Sequence, residues 1–278
     1  MSGTPPDYEA EYNNRARVPE HPEIIAGWAR DAAAYRDRRG GTLDIAYGDH
    51  PRQVYDLFRA DGERRPVTVV FLHGGYWQGL DKSYFSHMAA GMNARGYDVA
   101  IPSYRLCPEV RIGDIVLDIA KFAIRLENEA GGRRVVAGHS AGGHLAARLL
   151  AAAQPQWQMV DAAMPISGLF DLVPLVGTSI NEKLGLDENQ AAAEGIAAWP
   201  PPPPGMRLKA FVGERESAEY HRQTQFVADS WGEAGVETSA SVVPGADHFT
   251  VVASLAEPDG LLTRALASLA ADRPADVQ

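Results

Sequence analysis

Residues 136–144 read VAGHSAGGH, which sets Ser140 between Gly138 and Gly142 as G-x-S-x-G. An apolar run (Arg134-Val135-Val136-Ala137) stops at the first glycine, and a helix-like stretch, HLAARLLAAA, follows at once. A serine at a strand-to-helix turn is either an ordinary N-cap or a nucleophile elbow. Its hydroxyl is a poor nucleophile at neutral pH. To attack a carbonyl it needs a base to take its proton, an acid to orient that base, and amide donors for the oxyanion.

Donors are expected from two places. Ala141 follows the serine at a helix N-terminus, where an amide has no intrahelical acceptor. The segment FLHGGYWQG (71–79) ends an earlier apolar run with His73, Gly74 and Gly75, whose small residues let backbone amides approach a substrate. The hole is therefore assigned to the amides of Gly74, Gly75 and Ala141, with Tyr76 as a substitute for one of them. His73 and His139 are read as loop organisers.

The usual chain order is serine, acid, histidine, so the base must follow Ser140. His144 lies one turn into the elbow helix, and His221 falls mid-helix among polar residues. His248, in VVPGADHFTVV, follows the last apolar run in a loop and is the assigned base. The acid has three candidate places: Asp171 in SGLFDL, Glu214 and Glu216 in FVGERESAEY, and Asp247. Adjacency in the chain makes an Asp247–His248 side-chain bond awkward. Glu216 is chosen, with Glu214 and Asp171 behind it. A first-turn acid facing a helix dipole is the alternative explanation of Glu216.

These residues need a scaffold that brings loop ends together. Continuous apolar runs at 67–73, 97–104, 134–140, 161–167, 208–213 and 239–245 suit strands buried on both faces of a parallel sheet. Helical periods fall at 82–94, 112–129, 141–153, 216–235 and 258–271. In front, TLDIAYG and QVYDLFR read as antiparallel strands, preceded by a helical lead-in over 1–40. The pattern predicts an α/β class: one doubly wound, mostly parallel sheet over 1–278. Residues 172–205, ending in five consecutive prolines, are expected to form a small cap or loop insertion with a stiff spacer.

Bulk composition narrows the partners. With 45% apolar and 22% charged residues in 278, the chain has the balance of an ordinary globular protein. A formal net charge of −10 argues against nucleic acid and anionic membrane. No stretch has the length of a membrane helix, and the N-terminus lacks the apolar core of a secretory signal. The single cysteine, Cys107, suits a reducing cytoplasm and is read as buried filler. No Cys/His pairing has zinc-ligand spacing, so neither metal nor cofactor is expected. Oligomeric state is left open, a homodimer included.

The motifs HGGYW, GHSAGG, SGLFDLVPL, NEKLGLD, ESAEYHRQ and DHF, in that order, resemble the kynurenine formamidase (arylformamidase) branch of the α/β-hydrolases, which neighbours the hormone-sensitive-lipase-like esterases. The resemblance runs from about Tyr12 to the last helix. It implies the α/β-hydrolase fold and hydrolysis of N-formyl-L-kynurenine. In that family the first residue of the segment matching ESAEYHRQ is the triad acid, usually aspartate, which lands on Glu216. Tyr76, Trp77 and Trp199 would then form an aromatic wall for the aryl group, with ordinary packing as the alternative. Rival readings are a carboxylesterase on small acyl or aryl esters, an amide or carbamate hydrolase, and a non-catalytic binding module.

Overall fold

A computed structural model describes residues 6–130, 132–152 and 160–271. Residues 1–5 of the expected lead-in and residue 153 of the helix expected over 141–153 lie outside the described residues. The helical lead-in is three helices: α1 (Tyr8–Tyr12), α2 (Asn14–Arg17) and α3 (His21–Arg39). Asp7 and Asn13 cap the first two, each accepting a backbone N–H three residues on. Gly40, with φ +69°, ends α3.

Eight strands follow: β1 (Thr42–Ala46), β2 (Val54–Phe58), β3 (Val67–Leu72), β4 (Asp98–Pro102), β5 (Arg133–His139), β6 (Ala162–Ile166), β7 (Arg207–Gly213) and β8 (Glu237–Val243). They form one sheet in the order β1-β2-β4-β3-β5-β6-β7-β8. β1 and β2 pair antiparallel, as do β2 and β4. From β4 to β8 every pairing is parallel. The unalternating strands are those with both faces covered: all six residues of β3 and all five of β4 and β6 are buried. Edge strands β1 and β8 carry mostly exposed or half-buried residues. One apolar cluster packs on each face, the first around Tyr55, Phe122, Leu145 and Trp231, the second around Phe71, Phe85, Met92 and Leu266.

The principal helices are α4 (Ala90–Ala94), α5 (Ile112–Ala130), α6 (Ala141–Ala151), α7 (Asn181–Leu184), α8 (Glu188–Ala193), α9 (Ala218–Glu233) and α10 (Leu261–Ala270). Two expectations change. The continuous helix expected over 82–94 is two 3-10 turns, Lys82–Tyr84 and Ser86–Ala89, followed by the short α4. The lysine at its start does not cap a helix in solvent. Its ammonium is drawn to Asp56 and Asp44, both 2.7 Å away. The helix expected from 216 starts instead at Ala218, with Ser217 as N-cap, so Glu216 lies in the turn before it and the dipole explanation does not apply. The insertion over 172–205 holds α7, α8 and two 3-10 turns, then the prolines without regular structure.

Candidate active site

The order reversal in the sheet sets β3 beside β5, and the chemistry-bearing loops leave the carboxyl ends of β3, β5, β7 and β8. β5 runs into α6 through Ser140 alone, at φ +55° and ψ −119°. Such a positive-φ conformation costs a non-glycine residue about 1–3 kcal/mol. It is held by Ser140 N–H donating to Ile166 O at 2.8 Å and by Gly143 N–H returning to Ser140 O at 2.8 Å. The flanking glycines have no alternative. A Cβ on Gly138 would stand 2.0 Å from Gly142 O, and one on Gly142 would stand 2.1 Å from Leu72 O.

His248 reaches the serine from the loop after β8. Its Nε2 lies 3.1 Å from Ser140 Oγ and its Nδ1 lies 2.7 Å from Glu216 Oε2. A carboxylate only accepts, so Nδ1 carries the proton and Nε2 is free to accept from the serine hydroxyl. The other carboxylate oxygen, Oε1, accepts from Gly213 N–H at 2.6 Å and Ser167 Oγ–H at 2.5 Å. The structure thus brings Ser140, His248 and Glu216 into one hydrogen-bonded line. Glu214 is exposed and accepts Gly245 N–H at 2.6 Å. Asp171 pairs with Arg222 at 3.1 Å. Asp247 accepts the amides of Phe249 and Thr250, both at 2.9 Å, and so shapes the histidine loop without touching the ring.

The glycine segment lies against the nucleophile. A Cβ on Gly74 would approach His139 O to 3.0 Å and Ser140 Cβ to 3.1 Å, and Gly75 has φ +113°. Ala141 occupies the first position of α6. His73 is buried, donates Nδ1–H to Gly74 O at 2.8 Å, and stacks on Tyr104 at 4.2 Å. His139 donates Nε2–H to His248 O at 2.8 Å, bracing that loop.

Neither Trp77 nor Trp199 joins the expected aromatic wall at Ser140; both take the alternative, ordinary packing. Trp77 is fully buried and meets His144 edge-on at 5.1 Å, and Trp199 meets the same ring edge-on at 5.1 Å. Tyr76 and Trp77 both have left-handed backbone (φ +51° and +56°), and Cys107 N–H bonds Trp77 O at 2.8 Å. That turn directs Tyr76 to the cavity and Trp77 into the core.

The cavity at Ser140 has a volume of about 340 Å³. Tyr12, Ile25, Trp28, Tyr76 and Phe249 supply its aromatic and apolar lining, and Arg15, Glu182 and Lys183 its charged lining. The lead-in helices therefore form part of the wall, which no pattern in that polar stretch announces. Asn14 Nδ2–H donates to the Tyr220 hydroxyl at 2.8 Å, and the Tyr76 hydroxyl lies 2.7 Å from it and donates to Tyr12 O at 2.6 Å. Burial raises both phenol pKa values and keeps them protonated. Tyr220 lies within the ESAEYHRQ segment, four residues after Glu216, and its ring packs 4.6 Å from His248. That spacing was the available signal.

Three histidines around the site are buried and neutral. Burial lowers His73 to about 4 and His144 to about 3, and with the neighbouring His248 it drives His139 well below the usual range. Unfolded, each takes a proton near pH 6.5, about the model-peptide value. Because the unfolded chain binds more protons below that pH, the stability is whole above it and falls with acidification. The fall is up to about 1.4 kcal/mol per pH unit per histidine until the folded-state values are reached. Thermal midpoints should decline steadily between roughly pH 6.5 and pH 4. A flat profile would show the three rings to be hydrated.

The sequence pattern of the alpha/beta hydrolase family matches residues 69–276, and the chain belongs to that family. It is a hydrolase, with kynurenine formamidases among its relatives. The enzyme of that name from Drosophila melanogaster is 28% identical over 250 residues, 84% of this chain and 83% of its own. That from Danio rerio is 25% identical over 234 residues, 81% and 80% of the two chains. The crystal structure of a proposed thioesterase from Silicibacter sp. TM1040 superposes with a TM-score of 0.84 at 33% identity, covering 94% of this chain and 99% of that one. Esterase B from Lactobacillus rhamnosis shares the fold, with a TM-score of 0.66 at 18% identity over 92% and 96% of the two chains. Among the described residues no helix is long and apolar enough to cross a membrane, and no group of three or more His, Cys, Asp or Glu is placed to hold a metal ion.

Proposed function

We propose that the protein is a serine hydrolase of aryl formamides that converts N-formyl-L-kynurenine to L-kynurenine and formate. The observation that carries this reading is the Glu216–His248–Ser140 line at 2.7 and 3.1 Å, opening on a cavity of about 340 Å³. Ser140 gives its proton to His248 Nε2 as Oγ bonds the formyl carbon. The oxyanion is met by the amides of Gly74, Gly75 and Ala141. When the C–N bond breaks, His248 returns the proton to the aniline nitrogen and kynurenine departs. Water, deprotonated by the same ring, then releases formate and restores the serine.

Two further features support the substrate. Trp28, Tyr76 and Phe249 line the cavity with aromatic side chains suited to an aryl group. Arg15, Lys183 and Glu182 match the carboxylate and ammonium of an amino acid. The 33% identity to a chain described as a thioesterase favours a second reading, hydrolysis of small acyl esters or thioesters. Purified protein assayed side by side on N-formylkynurenine and p-nitrophenyl acetate separates them. The expected result is a higher kcat/KM on the formamide. Fast ester turnover with negligible formamide cleavage would replace the first reading by the second.

A further inference from the structure

The turn after β6 carries a residue whose side chain takes no part in the strand pairing. Ser167 has φ +52° and is fully buried. Its N–H donates to Phe211 O at 2.7 Å, extending the β6–β7 ladder by one bond. The next residue, Gly168, packs so closely on α6 that a Cβ on Gly143 would stand 2.9 Å from its Cα. If backbone shape were the only demand, glycine would meet it without strain. What glycine lacks is the hydroxyl, and that hydroxyl donates to Glu216 Oε1 at 2.5 Å.

We infer that Ser167 is a positioning residue that fixes the Glu216 carboxylate for His248, an inference that rests on the proposed triad. The bookkeeping of the carboxylate supports it. Oε1 is occupied by two donors from different strand ends, Ser167 after β6 and Gly213 at the end of β7. Oε2 is thereby the oxygen presented to His248 Nδ1. Glutamate has one more side-chain torsion than aspartate, and two anchors on one oxygen remove that freedom before the histidine is bound. A three-point hold also keeps the carboxylate plane fixed while the imidazole charges and discharges. β6 thus supports the acid that β7 supplies. Backbone strain at a buried residue is stored where function needs it.

The test is kinetic, with p-nitrophenyl acetate as substrate. Ser167→Gly removes the hydroxyl and the backbone strain together, so relief of strain offsets part of the lost hydrogen bond and the thermal midpoint should stay within a few degrees of the wild type. Its kcat should fall roughly 10- to 100-fold, the range for losing a hydrogen bond to a charged group that acts in the transition state. KM should stay within about twofold, because Ser167 is absent from the cavity lining. Ser167→Cys, which keeps a weak donor, should recover part of the loss. In a Glu216→Ala background, Ser167→Gly should cost nothing more, since its effect passes through the carboxylate. Wild-type kcat in Ser167→Gly, or an equal further loss in the Glu216→Ala background, would overturn the inference. Failure of the triad itself is separately visible: Ser140→Ala would then hydrolyse the ester as fast as the wild type.

Discussion

Replacing Ser140 by alanine is expected to cut kcat on N-formylkynurenine and on p-nitrophenyl acetate by about a millionfold, the cost of deleting a triad nucleophile. What survives is the contribution of the amides around the elbow, which act on a carbonyl whether or not a serine attacks it. The fold should not notice. Alanine at φ +55° bears the same positive-φ strain as serine, and the two backbone bonds that hold the turn, to Ile166 O and from Gly143 N–H, do not involve the hydroxyl. The thermal midpoint should therefore stay within a few degrees, about the shift of a 1 kcal/mol change. Labelling by a fluorophosphonate should vanish at the same time. Turnover near that of the wild type would mean that another nucleophile does the work. The buried Cys107, whose thiol burial raises to about 11, is a poor alternative.

The turn at Ser140 and the histidine beside it are legible because each has a pattern that local physics enforces. Gly138 and Gly142 are required by carbonyls at about 2 Å from any added Cβ, so their spacing around Ser140 appears in the sequence itself. His248 followed from chain order and from the apolar run before it. The sheet was legible for a related reason: β3, β4 and β6 are buried on both faces, and only unbroken apolar runs survive there. Other features depend on contacts that no local window contains. Asn14 meets Tyr220 206 positions away, in a stretch of polar residues that reads as a lead-in. Trp77 looks like a substrate wall by residue type, yet the direction of its side chain is set by two consecutive left-handed residues and by a bond from Cys107. Lys82 opens a segment with helical spacing, but two carboxylates on the sheet's antiparallel strands hold its ammonium and the segment becomes 3-10 turns. Ser167 carries no signal in the sequence, since a buried serine after a strand has the same letters as a solvated one.

Glu216→Gln should lower kcat by about ten-thousandfold, the scale seen when a triad acid is replaced by its amide. The geometry explains why a near-isosteric change costs so much. A glutamine has one carbonyl oxygen and one NH2 group. If its oxygen keeps the Oε1 place, it satisfies Gly213 N–H and Ser167 Oγ–H, and its NH2 group faces His248 Nδ1. That nitrogen must then accept, so the ring proton moves to Nε2, which can no longer take the proton of Ser140. The reverse orientation sets NH2 against the fixed Gly213 amide, donor to donor, and is the costlier one. The wrong tautomer therefore wins. Glu216→Asp keeps the charge but falls one methylene short of the two anchors, so it should retain more activity than the amide does. Glu214→Gln and Asp171→Asn should leave kcat within about twofold, because surface contacts such as theirs contribute little: one carboxylate accepts Gly245 N–H and the other pairs with Arg222. Steady-state kinetics of the four variants under one set of conditions decides the matter. A greater loss in Asp171→Asn than in Glu216→Gln would move the acid to the end of β6 and leave the bonds to His248 and Ser167 without a catalytic purpose.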